Sequence, residues 1–263
     1  MRGLQTPVRA IRRQVFTEVA KLGFKANAET LVADMEAIPY EIVGEDSEVK
    51  YRESIYRARA VVRERLRLAM GLSLRPENKP VHLTAGVEAS NISEKYYEPP
   101  LMQVIPSGCE SCEENKYEVS NVCKGCLAHP CQEVCPRGAI SMVNGKSFID
   151  QDKCIKCGKC KSVCPYDAIA KKERPCKKAC GVNAITSDKL GRAYIDADKC
   201  VSCGMCMVSC PFGAISDKSQ IFQMIRAIQA GERVYAAVAP AFVGQFGPKV
   251  TPGKLRAAMK QLG

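Results

Sequence analysis

Sixteen cysteines fall between residues 109 and 210 of a 263-residue chain, and their spacing limits what they can do. Cys154, Cys157, Cys160 and Cys164, followed by Pro165, repeat as Cys200, Cys203, Cys206 and Cys210 before Pro211. The run C-x2-C-x2-C-x3-C-P suits a cubane [4Fe–4S] cluster. Three thiolates on a short loop meet three iron corners, and the fourth, turned away before proline, serves a neighbouring cluster. The chemistry implied is one-electron transfer. Disulfides are the other common use of so many cysteines, but they belong to oxidising compartments and small secreted chains.

Crossed sharing assigns the remaining thiols. Cys123, Cys126, Cys131 and Cys135 form a variant loop whose two extra residues fall at His129-Pro130. One cluster is then expected on Cys123, Cys126, Cys131 and Cys164, and a second on Cys154, Cys157, Cys160 and Cys135. A third loop has only its last two ligands, Cys176 and Cys180. Cys180 is expected to join Cys200, Cys203 and Cys206. Cys176 and Cys210 then lack two partners, and Cys109-x2-Cys112 has the spacing of the missing pair. A fourth cluster on Cys109, Cys112, Cys176 and Cys210 leaves no thiol over. A rival partition puts zinc on Cys109, Cys112, Cys123 and Cys126, as C-x2-C-x10-C-x2-C resembles a zinc knuckle. It would break the crossed pattern. His129 reads as a hydrogen-bonding loop residue rather than a ligand, His82 as a surface residue, and no residue as catalytic.

Around these loops runs a fourfold echo, C-[PG]-x-x-A-I, starting at Cys135, Cys164, Cys180 and Cys210. After Ile140 and Ile185 come turn residues and then Phe148-Ile149-Asp150 and Tyr194-Ile195-Asp196, which predict two β-hairpins. Two tandem dicluster modules follow from the nearly equal separations within each pair of echoes. Met205, Met207, Val208, Ile155 and Val163 are expected to shield the clusters from water.

Upstream, residues 1 to about 100 lack cysteine and read as helical. Val8, Ile11, Val15, Val19 and Leu22 form one stripe that Gly23 should end. A second helix is expected over residues 29–38, stopped by Pro39. A third, over 54–70, places Ile55, Ala58, Val62, Leu66 and Ala69 inward and Arg57, Arg59, Arg63, Arg65 and Arg67 outward. Residues 73–106 read as irregular connection. Downstream, residues 219–230 form an amphipathic helix with Ile221, Met224, Ile225 and Ile228 inward. Val234 to Ala239 reads as a buried strand, and Thr251-Pro252 starts a last helix. A strand and a helix open an α/β domain but cannot bury both faces of the strand. The expected class is α+β: a helical region (1–106), two tandem bacterial-type dicluster ferredoxin modules (107–217), and an incomplete α/β unit (218–263).

The formal charge of +11 invites a nucleic-acid partner. Four oxidised cubanes with their thiolates contribute about −2 each, which brings the total to about +3. No tryptophan and no basic–aromatic interleaving is present, so nucleic-acid binding and a redox-sensing role on nucleic acid are disfavoured. Lys153, Lys156, Lys159, Lys161, Lys171, Lys172, Arg174, Lys177 and Lys178 surround the middle clusters, as a solvated face or as a docking surface for an acidic electron carrier. The basic N-terminus is broken by Pro7 and has no secretory h-region. The longest apolar stretch, Val234 to Val243, falls well short of the roughly 18 residues that span a bilayer. A cytoplasmic protein without membrane contact is expected.

Several segments carry a family likeness. RPCKKACGVNAI, DKCVSCGMCMVSCPFGAISDKSQIF and VYAAVAPAFVGQFGP resemble the monomeric [FeFe]-hydrogenases, particularly their group B branch, and EKYYEPPLMQVIP and VRERLRLAMGL are similar too. The likeness covers essentially the whole chain. It implies an accessory region that passes electrons between an external low-potential carrier, such as a ferredoxin, and a catalytic domain, in anaerobic hydrogen metabolism. In the family that domain binds a six-iron centre through four cysteines, whereas no cysteine follows Cys210 here. The chain alone is therefore not expected to make or consume hydrogen. The alternative is a free-standing polyferredoxin or a subunit of a larger oxidoreductase.

Overall fold

In the computed structural model, which describes residues 5–25, 27, 29–45, 52–90 and 99–262, the chain divides into two units. One is Cys109–Ile215; the other joins Gly3–Gly108 to Ser216–Gly263.

The second unit is mainly helical. Helix α1 (Pro7–Lys25) buries Ile11, Val15, Val19 and Leu22 along one stripe. Gly23 does not end it. A Cβ there would lie 3.0 Å from Cγ2 of Ile225, so glycine lets the helix Ile221–Gln229 pack close. Helix α2 (Leu31–Ile42) likewise runs through Pro39 rather than stopping before it. Pro39 is buried, and its carbonyl accepts the Val43 N–H at 3.1 Å. Apolar burial thus accompanies the ladder bond that proline removes.

Helix α3 (Ile55–Ala69) buries Ala58, Val62, Leu66 and Ala69 as expected. Arg65 and Arg67, expected outward, are buried instead. The Arg67 guanidinium donates to the carbonyls of Ser73, Leu83 and Ala85 at 2.9, 2.6 and 2.9 Å, which ties the following connection to the helix. Charge-assisted bonds to otherwise unmatched carbonyls are what make a buried arginine tolerable. That connection also carries a short helix, Val87–Ser90, and a strand, Met102–Val104. Residues 94–98 of the EKYYEPPLMQVIP segment lie outside the described residues.

On the helix Ile221–Gln229 the buried residues are Phe222, Gln223, Ile225 and Ala227; Met224, expected inward, is exposed. The Gln223 amide donates to the Met70 and Ser90 carbonyls at 2.9 and 3.0 Å. The strand expected over Val234–Ala239 does not form. Those residues are exposed, and no neighbouring strand among the described residues satisfies their N–H and C=O groups. The last helix, Pro252–Leu262, does start at Thr251, whose hydroxyl accepts the Lys254 N–H at 3.3 Å. Leu255 and Met259 face Met224, Ile228, Val234 and Phe242 across an open apolar cavity.

The cysteine-bearing unit is built from short pieces. The first expected hairpin pairs Ile140–Val143 with Lys146–Ile149 through Asn144 and Gly145, both with positive φ, as a two-residue hairpin turn requires. The second pairs Ile185–Ser187 with Ala193–Ile195. A further strand, Lys116–Val119, runs antiparallel to Ile169–Lys172. Tyr117, Ile140, Ile149 and Ile169 form a small core with Cys131 and Cys160. Among the described residues no helix is long and apolar enough to cross a membrane.

Candidate iron–sulfur cluster sites

Each of the four C-x-x-C pairs that open a cysteine run, 109/112, 123/126, 154/157 and 200/203, has the same kink. The residue before the second cysteine is left-handed: Ser111 (φ 46°), Gly125 (57°), Lys156 (60°) and Ser202 (55°). Only one is glycine, and side chains avoid this region unless the local structure demands it. The turn folds the backbone back on the first sulfur; at Cys154 the Lys156 N–H points to Sγ at 3.4 Å. The isolated pair Cys109/Cys112 therefore shares a backbone device with the three pairs that sit in longer runs.

A second device explains the C-[PG]-x-x-A-I echo. The third residue after each leading cysteine is left-handed: Gly138 (56°), Asp167 (46°), Asn183 (53°) and Gly213 (60°). The alanine that follows then donates its N–H to the cysteine sulfur. Ala139 reaches Cys135, Ala168 reaches Cys164 and Ala184 reaches Cys180, each at 3.3 Å, and Ala214 reaches Cys210 at 3.4 Å. Such bonds favour a thiolate over a thiol and, around a metal site, fix the ligand's direction. All four alanines are buried, which leaves no room for a larger side chain without displacement. These donors escaped sequence reading, although the invariant alanine of the echo was their signal.

The third cysteines ride on single-turn helices. Cys131, Cys160 and Cys206 follow left-handed His129, Gly158 and Gly204. A Cβ at Gly158 would stand 2.6 Å from the Tyr117 hydroxyl. Cys176 lies on the equivalent helix, Pro175–Lys178, but Arg174 leads into it with φ −67°. No C-x-x-C pair joins this helix directly, so the reversing residue is absent there.

The cysteine side chains lie near one another in several sets. Cys123, Cys126, Cys131 and Cys164 line one small cavity with Val119, Pro130, Ser147 and Ile169. Cys131 Sγ lies 3.3 Å from Ser147 Oγ, and the Ser147 backbone N–H, ahead of weaker contributions, holds the Cys123 thiol below its usual pKa. Cys160 is pushed up by burial, and the neighbouring charges of Cys154 and Cys157 act in the same direction. Cys135 and Cys154 pack on the core that contains Cys160. Cys206 is pushed up to about 11 by burial, with Cys200, Cys203 and Cys180 adding to the effect. Cys176 is pushed up to about 12 by burial and then by Cys210, with a smaller addition from Cys109. Cys112 is raised by burial, then by Cys109 and Cys210. Cys109, Cys112, Cys176 and Cys210 are thus neighbours although they come from three separate stretches of the unit.

None of the sixteen cysteines is paired in a disulfide. Among the described residues no three Cys, His, Asp or Glu side chains converge tightly enough for a single metal ion. A cubane interposes iron and sulfide between its thiolates and so needs a wider cage. Convergent sulfurs, donors aimed at them and apolar walls fit that group. Thiols bind iron as thiolates, so loading would release their protons.

The residue that secures the Cys109–Cys112 segment is Arg174, which sequence reading placed on a basic surface. It is only 4% exposed. Its Nε and Nη2 both donate to the Cys112 carbonyl, at 2.9 and 2.8 Å, and Nη2 also reaches the Gly191 carbonyl at 2.7 Å. Nη1 reaches Ser187 Oγ and a Glu114 carboxylate oxygen, each at 3.1 Å. Burial pushes the Glu114 carboxyl up, but hydrogen bonds from Lys177 and Ser187 and the Arg174 charge outweigh it and hold it below the usual range. At Cys109, the Ala193 N–H approaches Sγ at 3.4 Å. Ile155 and Val163, expected to shield the clusters, are 57% and 36% exposed. Met205, Met207 and Val208 are half-buried, as is His129, while His82 is exposed.

Comparison with known proteins places this geometry. The model of a family described as a 4Fe-4S dicluster domain matches residues 153–214, and that of an LdpA Fe-S cluster-binding domain matches residues 122–174. An uncharacterized ferredoxin of Methanocaldococcus jannaschii is 38% identical over 65 residues, 25% of this chain and 39% of its own. A probable iron–sulfur subunit encoded in the Frd operon of Proteus vulgaris is 41% identical over 69 residues, 26% and 44% of the two chains. Electron transport protein HydN of Escherichia coli is 43% identical over 56 residues, 21% and 32%. The chain spans less than half the length of these relatives. The region is a ferredoxin-type [4Fe–4S] cluster-binding region, and its chemistry is iron–sulfur electron transfer.

Proposed function

We propose that this chain is the electron-relay portion of an oxidoreductase resembling the [FeFe]-hydrogenases, with four [4Fe–4S] clusters on two tandem dicluster modules. The ligand sets are Cys123, Cys126, Cys131 and Cys164; Cys154, Cys157, Cys160 and Cys135; Cys200, Cys203, Cys206 and Cys180; and Cys109, Cys112, Cys176 and Cys210. When bound, such clusters supply one-electron carriers. The chain's own residues hold the thiolates, direct N–H groups at them and limit water. The observation that carries the reading is the repetition of one backbone device four times over. Ser111 is left-handed like Gly125, Lys156 and Ser202, and the four alanine N–H groups stand 3.3 to 3.4 Å from their sulfurs. The neighbourhood of Cys109, Cys112, Cys176 and Cys210 supports the fourth set.

The partners of this reading are a hydrogenase-type catalytic domain and an external low-potential carrier such as a ferredoxin, in the cytoplasm. The hydrogenase-like segments support it, as does the exposure of residues 234–239 beside an open apolar cavity. A multi-cluster carrier that serves several enzymes is the second reading, favoured by the likeness to ferredoxins and electron-transport proteins. Limited proteolysis of the cluster-loaded chain separates the two. The relay reading expects early cleavage within residues 232–243, suppressed when a hydrogenase catalytic domain is added. Resistance to cleavage in the chain alone, with no effect of that domain, overturns it.

A further inference from the structure

The nine basic residues around the middle clusters are not equivalent. Lys171 and Lys178 pair with Glu173, each at 2.7 Å; Lys172 pairs with Glu118 at 3.4 Å; Lys177 and Arg174 pair with Glu114 at 2.6 and 3.1 Å; and Lys153 lies 3.6 Å from Asp150. Lys156, Lys159 and Lys161 have no carboxylate within ion-pair distance among the described residues, and all three are exposed. They sit in one loop, interleaved with Cys157, Cys160 and Cys164. Ile155, 57% exposed, and Val163, 36% exposed, stand among them.

The chain supplies its own control. The loop at residues 200–210 has the same cysteine spacing, left-handed residues at the matching positions, Ser202 and Gly204 for Lys156 and Gly158, and a similarly exposed valine, Val201. At the positions of Lys156, Lys159 and Lys161 it carries Ser202, Met205 and Met207. The lysines are therefore not required by the fold of such a loop. Cluster charge does not explain them either, because both loops hold the same number of thiolates. A solvated face has no reason to concentrate every unneutralised lysine of the group at one cysteine loop.

We propose that the loop from Cys154 to Cys164 is the docking port for an acidic electron-carrier protein, with Lys156, Lys159 and Lys161 ringing an apolar contact at Ile155 and Val163. This rests on the reading that Cys154, Cys157 and Cys160 hold a cluster. Charge complementarity selects the occupant. Transient redox partners meet over small interfaces in which surface charge speeds encounter and sets orientation, and a little exposed apolar area suffices for contact. The port also distinguishes the two sister loops, since the loop at 200–210 lacks the charge to compete for the same partner.

The test uses the cluster-loaded full chain and a purified acidic [2Fe–2S] ferredoxin as probe, with affinity measured by calorimetry over a range of salt concentrations. The triple variant Lys156→Ser/Lys159→Met/Lys161→Met, which copies the sister loop, should weaken binding about 10- to 100-fold at low salt and flatten its salt dependence. Lys171→Ser/Lys172→Ser/Lys178→Ser removes the same formal charge from paired lysines and should change binding less than about threefold. Iron content, measured on each variant, reports the cluster reading separately: loss of iron in the parent chain's 154–164 site sinks that reading, whereas full iron with unchanged ferredoxin binding sinks the port. Equal weakening by both triples overturns the port, because net charge alone would then be at work. Binding of the parent chain to phosphatidylserine vesicles but not to ferredoxin overturns it as well.

Discussion

Replacing Arg174 by glutamine tests whether a distant segment completes the fourth site. The guanidinium holds the Cys112 carbonyl with two donors and the Gly191 carbonyl with a third, and it faces Glu114. Glutamine offers two donors on a shorter arm, so at least one carbonyl is left without a partner where Arg174 was 4% exposed. An unmatched buried acceptor costs about 1–3 kcal/mol; Glu114 is partly exposed and keeps Lys177 at 2.6 Å, so loss of its contact with Arg174 adds little. The combined loss falls mainly on the docked state of the Cys109–Cys112 segment. At 1.4 kcal/mol per tenfold, about 1–3 kcal/mol lowers the docked population roughly 5- to 140-fold. The rest of the cysteine unit keeps its own ligands. Iron and acid-labile sulfide, measured on anaerobically purified protein, should fall from about sixteen of each per chain to about twelve. Arg174→Lys should lie between, because one ammonium cannot bridge both carbonyls. Full iron with an unchanged melting temperature in Arg174→Gln would refute the clasp.

Further perturbations probe separate parts of the account. Cys203→Ala should remove one cluster, so that dithionite titration followed by paramagnetic resonance counts about three electrons rather than about four per chain. Gly125→Ala should be severely destabilising: φ is +57° and the new Cβ would lie 2.0 Å from the Gly145 carbonyl oxygen. Differential scanning calorimetry should show a lower melting temperature, whereas Gly181→Ala, with ordinary φ and nothing within 4 Å, should leave it unchanged. Glu114 has a folded pKa below its unfolded value, so its stabilisation is whole above the ordinary carboxylate range and is lost as pH falls through the folded value. The melting-temperature gap between the parent chain and Glu114→Gln should therefore be widest near neutral pH and close on acidification. A gap that does not change with pH would contradict the ionised clasp.

The cysteine loops were legible because their chemistry is local. Spacing, proline and the alanine–isoleucine echo announce loops and hairpins that close within a dozen residues, and both hairpins formed where the turns predicted them. The stripe of α1 was equally clear. Contacts set by tertiary packing were not. Gly23 looks like a stop signal until Ile225 is seen to need its missing Cβ. Arg65, Arg67 and Arg174 look like surface charges, because nothing in the sequence reveals which carbonyls lack a partner. Val234–Ala239 has a strand's composition, yet a strand exists only beside another. The pairing of Lys116–Val119 with Ile169–Lys172 went unread for a related reason: Lys116-Tyr-Glu-Val is too short and too polar to signal a strand alone.

Native mass spectrometry of the anaerobically purified chain bears most directly on the assignment of its sixteen thiols. The account predicts an intact mass above that of the polypeptide by four cubane increments, with no zinc. A mass that holds three cubanes and a zinc ion, or a chain that carries two cubanes beside free thiols open to alkylation, would contradict it.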